Sequence, residues 1–134
     1  MTSESIPKWQ LWTGRILSGI SIALLLFDGI IKFFLDSMGP EAKAAGAILA
    51  YPDSVLPWIG TTLIVCTLLY AFPKTSVFGA VLLTGYMGGA IASHVRVLNP
   101  WFSHILFPVY VSLFFWGGLY LRSPELRALF PWRK

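Results

Sequence analysis

The sequence predicts an all-α fold, a membrane four-helix bundle that forms one domain over residues 1–134. The composition is the first indication, because 56% of the residues are hydrophobic and only 12% are charged, against roughly a quarter in soluble domains. The second is the recurrence of apolar runs close to the length of about 20 residues that a helix needs to cross a bilayer. The third is the turn chemistry, rich in proline and glycine, that separates these runs.

Four membrane helices are expected, at about residues 13–35, 54–72, 75–98 and 103–121. A short helix between the first two, starting after Pro40 and covering about residues 41–49, should lie on the membrane surface because proline suits a first helical turn. Pro73 and Pro100 mark the next two turns. Pro108 either kinks the fourth helix or lies in its first turn.

The basic residues predict the orientation of the bundle. Four spans place both termini on one side, and the positively charged side of a membrane protein is cytoplasmic. Seven basic residues fall on the side of the termini and three on the other: Lys8, Arg15, Lys74, Arg122, Arg127, Arg133 and Lys134 against Lys32, Lys43 and Arg96. We therefore expect a multi-pass membrane protein with cytoplasmic N and C termini.

Several classes of function are excluded by composition and pattern. The one cysteine, Cys66, allows no disulfide and no cysteine-based zinc site within one chain. The net charge of +4 comes from residues between apolar runs and near the C-terminus, which favours membrane orientation over nucleic-acid binding. Because no pattern for a nucleophilic triad, a phosphate loop or a carboxylate metal site is present, we assign no catalytic residue and no metal site.

Glycines at helical spacing mark one face of the third predicted helix. Gly85 and Gly89 are four residues apart, and Gly88 lies on the neighbouring strip. Small residues let helix backbones approach each other in lipid, where the hydrophobic effect between helices is weak. The sequence therefore predicts that these three glycines pack against another helix.

Polar residues gather near the outer membrane face. With the inner membrane boundary near Thr13 and Thr75, Lys32 and His94 each lie about 28 Å further along their own helix axes. That is close to the far side of a hydrocarbon core roughly 30 Å thick. A shallow pocket there suits a quinone head group, whose carbonyl oxygens accept hydrogen bonds. The candidate binding residues are Asp28, Lys32, Tyr86, His94 and Arg96.

Simpler explanations exist for the same residues. Lys32 and Arg96 can extend their charged ends to the interface while Asp28, four residues before Lys32, neutralises one of them. His94 and His104 could ligate a haem, but two histidines beside a turn are more often interfacial.

A stripe on the first helix predicts how the helices pair. Gly14, Ser18, Ser21 and Leu25 follow steps of three and four residues and lead towards Asp28 and Lys32. We expect this stripe to pack on the strip that contains Gly85 and ends at Arg96. A carboxylate shared between several cations lowers the cost of charge in a low-dielectric rim, which would bring Asp28 close to Arg96.

Several segments resemble the DoxX-like family of small bacterial four-helix membrane proteins. They are TGRILSGI, DGIIK with Gly29 and Lys32, Tyr51–Pro52, Pro73–Lys74–Thr75, TGYMGGAIASHVR and WGGLYLRSPELRALFP, and the resemblance runs from about Thr13 to Pro131. The family is named after a small subunit linked to a terminal quinol oxidase and to thiosulfate:quinone oxidoreductase. Its members often carry a glutamate in the second helix, where this chain has Leu63, which weakens any transfer of redox or proton chemistry.

The resemblance and the outer polar residues together predict a function. We expect an auxiliary subunit without catalytic activity of its own, associated with quinone-linked redox enzymes. The expected partners are the lipid bilayer, a membrane redox protein and further copies of the chain, and the expected ligand is a quinone. The alternative is a small proton-coupled exporter of the multidrug type, because such proteins have four helices and an acidic residue in the first.

Overall fold

The computed structural model describes residues 6–48 and 51–129, and in those two ranges the chain is helical with no β-strand. Six α-helices follow one another: α1 (Lys8–Phe34), α2 (Pro40–Ala47), α3 (Leu56–Ala71), α4 (Ser76–Arg96), α5 (Phe107–Arg122) and α6 (Pro124–Leu129). Short 3₁₀ turns at Leu35–Ser37 and Pro73–Thr75 and a π-helical turn at Trp101–Ile105 connect them. The expected all-α fold is confirmed.

Prolines lie in the first turn of four of these helices, α2, α3, α5 and α6. Pro40 follows Gly39, whose φ of 100° reverses the chain after α1, and residues 40–47 then form the short helix that the sequence predicts. Pro57 and Pro108 lie in the first turns of α3 and α5, where their missing N–H groups would have no helical partner. Pro108 therefore begins α5 rather than kinking it. The placement of α2 on a membrane surface stays a prediction.

The four longest helices form an antiparallel bundle in which the backbone of each closely approaches those of two others. Both α1 and α4 pack against α3 and α5, while α1 and α4 lie diagonally opposite each other and their backbones do not approach. The expected packing of the first helix on the third membrane helix, which is α4, is therefore wrong. The reason is that the closest backbone approaches of α1 are made with α3 and α5 instead.

Pairs of glycines make these approaches possible. A Cβ atom at Gly14 of α1 would lie 2.8 Å from the carbonyl oxygen of Gly118 in α5. One at Gly60 of α3 would lie 2.6 Å from the carbonyl oxygen of Gly29 in α1. Both distances are shorter than any contact that a real Cβ makes, so the helices touch through their backbones at these points.

The buried face of α1 agrees with the predicted stripe over most of its length. Gly14, Ser18, Ser21 and Leu25 are buried, but the next buried residue is Gly29 rather than Asp28. A step of four after Leu25 keeps the small residue against α3 and turns the carboxylate outward.

The outer surface of the bundle is apolar. Three helical segments are long and apolar enough to cross a membrane, judged by length and composition: Lys8–Phe34, Pro73–Arg96 and Trp101–Arg122. The helix α3 is apolar too but has only 16 residues. The interior is centred on Leu63, Tyr70, Leu83 and Phe115, which are almost completely shielded from the surface.

Candidate functional site

The distal end of the bundle, where α1 and α4 end and α3 and α5 begin, carries most of the predicted site residues. Lys32 donates to the Asp28 carboxylate with an Nζ to Oδ2 distance of 2.6 Å, and also to the Asp28 carbonyl oxygen at 3.2 Å. The side chain of Asp28 is 54% exposed and that of Lys32 only 18%. The two residues therefore pair as their spacing predicts, with the acid on the outside of the bundle.

Arg96 lies in a different environment at the end of α4. Its guanidinium carbon is 5.8 Å from the centre of the Tyr51 ring, a distance typical of cation–π contacts. The Tyr51 hydroxyl hydrogen-bonds to the Ser93 hydroxyl, which ties the segment before α3 to α4. The expectation that Asp28 meets Arg96 is wrong, because the carboxylate pairs with Lys32 on a helix whose backbone does not approach α4.

The two histidines connect α4 to the π-helical turn. Their rings meet edge to face with centres 5.8 Å apart. His94 Nδ1 is 2.7 Å from the Asn99 amide nitrogen, and His104 Nδ1 is 2.7 Å from the Ser103 hydroxyl. An amide nitrogen only donates, so His94 Nδ1 accepts and the neutral ring holds its proton on Nε2. Both histidines have local hydrogen-bond partners at the turn.

Tyr86 lies deeper in the bundle than the other predicted site residues of α4. It is two helical turns before His94, about 12 Å along the axis. Its half-buried side chain packs against the hydrophobic core and is close enough to Asp28 and Tyr51 for an electrostatic interaction. The five candidates thus divide into the pair Asp28–Lys32 on α1, the pair His94 and Arg96 at the end of α4, and Tyr86 inside. Their joint role in ligand binding stays a prediction.

The glycine face of α4 points away from the rest of the chain. A Cβ atom at Gly85, Gly88 or Gly89 would meet no described atom within 4 Å, and all three positions are exposed. These glycines do not bring two helices of this chain together. Their expected packing on the first helix is therefore wrong.

A small cleft opens at the distal end between α1, α2 and the start of α3. Its volume is ≈ 90 Å³, well below the roughly 300–1,000 Å³ of typical small-molecule sites. Charged and apolar side chains line it together: Lys32, Phe33, Leu35, Lys43, Ala47, Tyr51, Asp53, Leu56 and Pro57. Of the predicted site residues, only Lys32 contributes to this cleft.

A polar network at the other, proximal end joins three helices. The Tyr70 hydroxyl on α3 is 2.8 Å from the Ser18 hydroxyl on α1 and donates to the Phe115 carbonyl oxygen on α5 at 2.6 Å. Arg122 donates to the Ser18 oxygen at 3.0 Å. From the sequence, Ser18 was expected to lie on a packing stripe and Arg122 to count only towards the orientation, so this connection was not predicted.

Side chains also satisfy the last carbonyl groups of α5. Arg127 donates to the carbonyl oxygens of Tyr120 and Leu121 at 3.2 and 3.0 Å, and the Gln10 amide donates to that of Leu121 at 3.2 Å. Ser123 accepts from the Leu126 N–H and so caps α6, which carries Arg127 back towards α5. The sequence Ser123–Pro124–Glu125 is a recognisable helix start and could have predicted this return.

The described part of the chain leaves no buried side-chain nitrogen or oxygen atom without a hydrogen-bond partner. Within the same ranges, no group of three or more His, Cys, Asp and Glu side chains lies close enough to hold a metal ion.

Comparison with known proteins identifies the family. The family model described as the DoxX-like family matches residues 16–118, which is well over half of the chain. No similar curated protein and no similar solved structure is found. The match covers all four long helices except the first residues of α1 and the last of α5. This membrane protein, an apolar bundle whose helices are held together by buried glycines, belongs to the DoxX-like family.

Proposed function

We propose that the protein crosses the bacterial cytoplasmic membrane four times and acts as an auxiliary, non-catalytic subunit of a quinone-linked redox enzyme. Three segments have the length of a span, and α3, about 24 Å long, runs antiparallel to two of them, α1 and α4, in the same bundle. Family membership supports a membrane role of this kind.

The placement of Asp28 is the observation that carries the proposal. This acid lies on the exterior of the bundle, where it pairs with Lys32, and His94 and Arg96 lie at the same end. In the interior, Ser18, Tyr70 and the Phe115 carbonyl are engaged with one another. The distal surface therefore offers polar groups for contact with another molecule, as expected for a subunit that works through contacts with a partner.

The same observation argues against a proton-coupled exporter. A transport carboxylate lies near the bilayer midplane and faces a pathway inside the protein. Asp28 is instead more than half exposed and has a lysine within hydrogen-bonding distance. The geometry therefore favours the auxiliary subunit.

Affinity purification from membranes in a mild detergent tests the proposal. We expect a redox enzyme to co-purify, together with quinone in the lipid extract and quinone-dependent electron transfer in the eluate. Repeated recovery of the protein alone, without quinone, would overturn the proposal. Dye transport into proteoliposomes that Asp28→Asn abolishes would instead support the exporter.

Cysteine labelling tests the orientation. In a Cys66→Ala background, single cysteines are introduced as Ser54→Cys and Lys74→Cys, two exposed positions at opposite ends of the bundle. An impermeant thiol reagent should label the first variant in intact cells and the second only after lysis. The reverse pattern would invalidate the proposed orientation.

A further inference from the structure

The distal cleft combines two positive charges, one negative charge and an apolar wall. Lys32 and Lys43 supply the cations, Asp53 the anion, and Phe33 and Leu56 part of the wall. Lys32 is paired with Asp28 on α1. A cleft that combines charged side chains with an apolar wall at one end of a membrane bundle offers contacts both to the polar head group and to the apolar portion of a lipid.

We propose that this cleft binds the head group of a phospholipid that carries a primary ammonium group, as in phosphatidylethanolamine. The phosphate diester accepts hydrogen bonds from Lys32 and Lys43, and the ammonium group donates to Asp53. This inference does not depend on the proposed function, because it concerns recognition of lipid and not of a redox partner.

The donors of Lys32 leave room for the phosphate. An ammonium group has three N–H donors, and Asp28 takes two of them through its carboxylate and carbonyl oxygens. That pair also holds the lysine side chain in place, with only 18% of it exposed. The third donor serves a phosphate oxygen in the cleft, where a charge-assisted bond is stronger than a neutral one.

Asp53 determines which phospholipid head groups the cleft can bind. A carboxylate beside two lysines matches a zwitterion, in which a phosphate and a cation lie a few bonds apart. A primary ammonium donates hydrogen bonds to the carboxylate, whereas the quaternary ammonium of phosphatidylcholine has no N–H donor and phosphatidylglycerol has no cation. Tyr51, fixed by its bond to Ser93, forms the adjacent wall.

The surroundings favour a lipid over free phosphate. Phe33 and Phe34 are 46% and 55% exposed at the end of α1, a helix long enough to span a bilayer, and Trp58 is 73% exposed at the start of α3. Exposed tryptophan is typical of the depth of lipid head groups, and the two phenylalanines add exposed apolar surface. The apolar wall gives the glycerol and acyl portion of a lipid a surface that inorganic phosphate cannot use.

Ligand-dependent thermal unfolding of the purified full-length protein in detergent tests the proposal. The probes are short-chain phosphatidylethanolamine, phosphatidylcholine and phosphatidylglycerol, and inorganic phosphate. We expect phosphatidylethanolamine to raise Tm most and phosphate to leave it unchanged. Lys43→Gln should weaken the apparent affinity for all three lipids about tenfold, the effect of one charge-assisted hydrogen bond. Asp53→Asn should remove only the preference for phosphatidylethanolamine.

Matched variants separate binding from folding. Lys74→Gln changes an exposed lysine at the opposite end, and Glu41→Gln changes an exposed acid of α2 that does not line the cleft. Both should bind lipid like the wild type, and Lys43→Arg should retain binding if Lys43→Gln lowers the Tm of the free protein. Equal shifts with phosphate and with lipid, or unchanged lipid preference in Asp53→Asn, would overturn the proposal.

Discussion

The Tyr70 hydroxyl donates a hydrogen bond to the Phe115 carbonyl oxygen at 2.6 Å and so joins α3 to α5 in the interior of the bundle. The Tyr70 hydroxyl oxygen is also 2.8 Å from the Ser18 hydroxyl of α1. Because the only proton of the tyrosine is used on the carbonyl, Ser18 donates to Tyr70, and Arg122 donates to Ser18. One chain of donors therefore links three helices.

Tyr70→Phe should destabilise the bundle. The change removes the acceptor of the Ser18 hydroxyl and the side-chain donor to the Phe115 carbonyl, and hydrogen bonds between membrane helices contribute about 0.6 kcal/mol on average and up to about 1.7. Because this hydroxyl is buried and makes two contacts, we expect a loss in the upper half of that range, measured by reversible unfolding in detergent or bicelles. Tyr110→Phe is the control, since its hydroxyl bonds the Phe102 carbonyl on the exposed surface. Equal losses in both variants would contradict the role of Tyr70.

Gly118→Ala should also destabilise the bundle. A Cβ atom at this position would lie 2.8 Å from the Gly14 carbonyl oxygen, so α1 and α5 would have to separate. Overpacking of this kind costs about 1–3 kcal/mol in unfolding free energy.

Gly89→Ala is the matched control for that change. It adds the same methyl group to a helix where no described atom lies within 4 Å, and alanine is the better helix former. Its unfolding free energy should equal or slightly exceed that of the wild type. A loss as large as that of Gly118→Ala would show that packing density does not explain the difference.

Asp28 should couple to Lys32 and not to Arg96. A double-mutant cycle with Asp28→Asn and Lys32→Gln should give a coupling of about 0.3–0.5 kcal/mol, the value for exposed pairs four residues apart in a helix. The cycle with Asp28→Asn and Arg96→Gln should be additive, because the backbones of α1 and α4 do not approach each other. A larger coupling in the second cycle would require a contact between these helices.

Arg127→Gln should weaken the end of α5. Its guanidinium group bonds the carbonyl oxygens of Tyr120 and Leu121, and a cation at a helix C-terminus contributes about 0.3–1 kcal/mol. Hydrogen exchange of the amides in the last turn of α5 should rise along with the loss in stability. Arg15→Gln, which removes an exposed arginine over the Trp12 ring, should leave that exchange unchanged.

Periodicity and composition predicted the helices well because each depends on local sequence. The apolar runs, the prolines and the stripe from Gly14 to Leu25 all appear in the structure as expected. Residues 8–12, polar and rich in tryptophan, were excluded from the first helix. They are helical in the structure, since an interfacial segment can continue a membrane helix without being apolar.

The pairing of helices could not be predicted in the same way. The chain offers several glycines at helical spacing, and the sequence does not say which of them meet. Gly85 and Gly89 have the familiar membrane-helix spacing yet face outward, whereas Gly14 and Gly118, far apart in the chain, make a backbone contact. The site prediction failed at Asp28 and Arg96 for this reason, because it depended on the neighbours of α1.

The contact of α1 with α5 has a consequence for biogenesis. The first long helix to be synthesised finds one of its two partners only when the last one is made, because Gly14 packs on Gly118 and Ser18 accepts from Arg122. Until α5 is made, α1 can pack only against α3, and the face of α1 that receives α5 stays uncovered. We therefore expect the bundle to be complete only when α5 has entered the membrane beside α1.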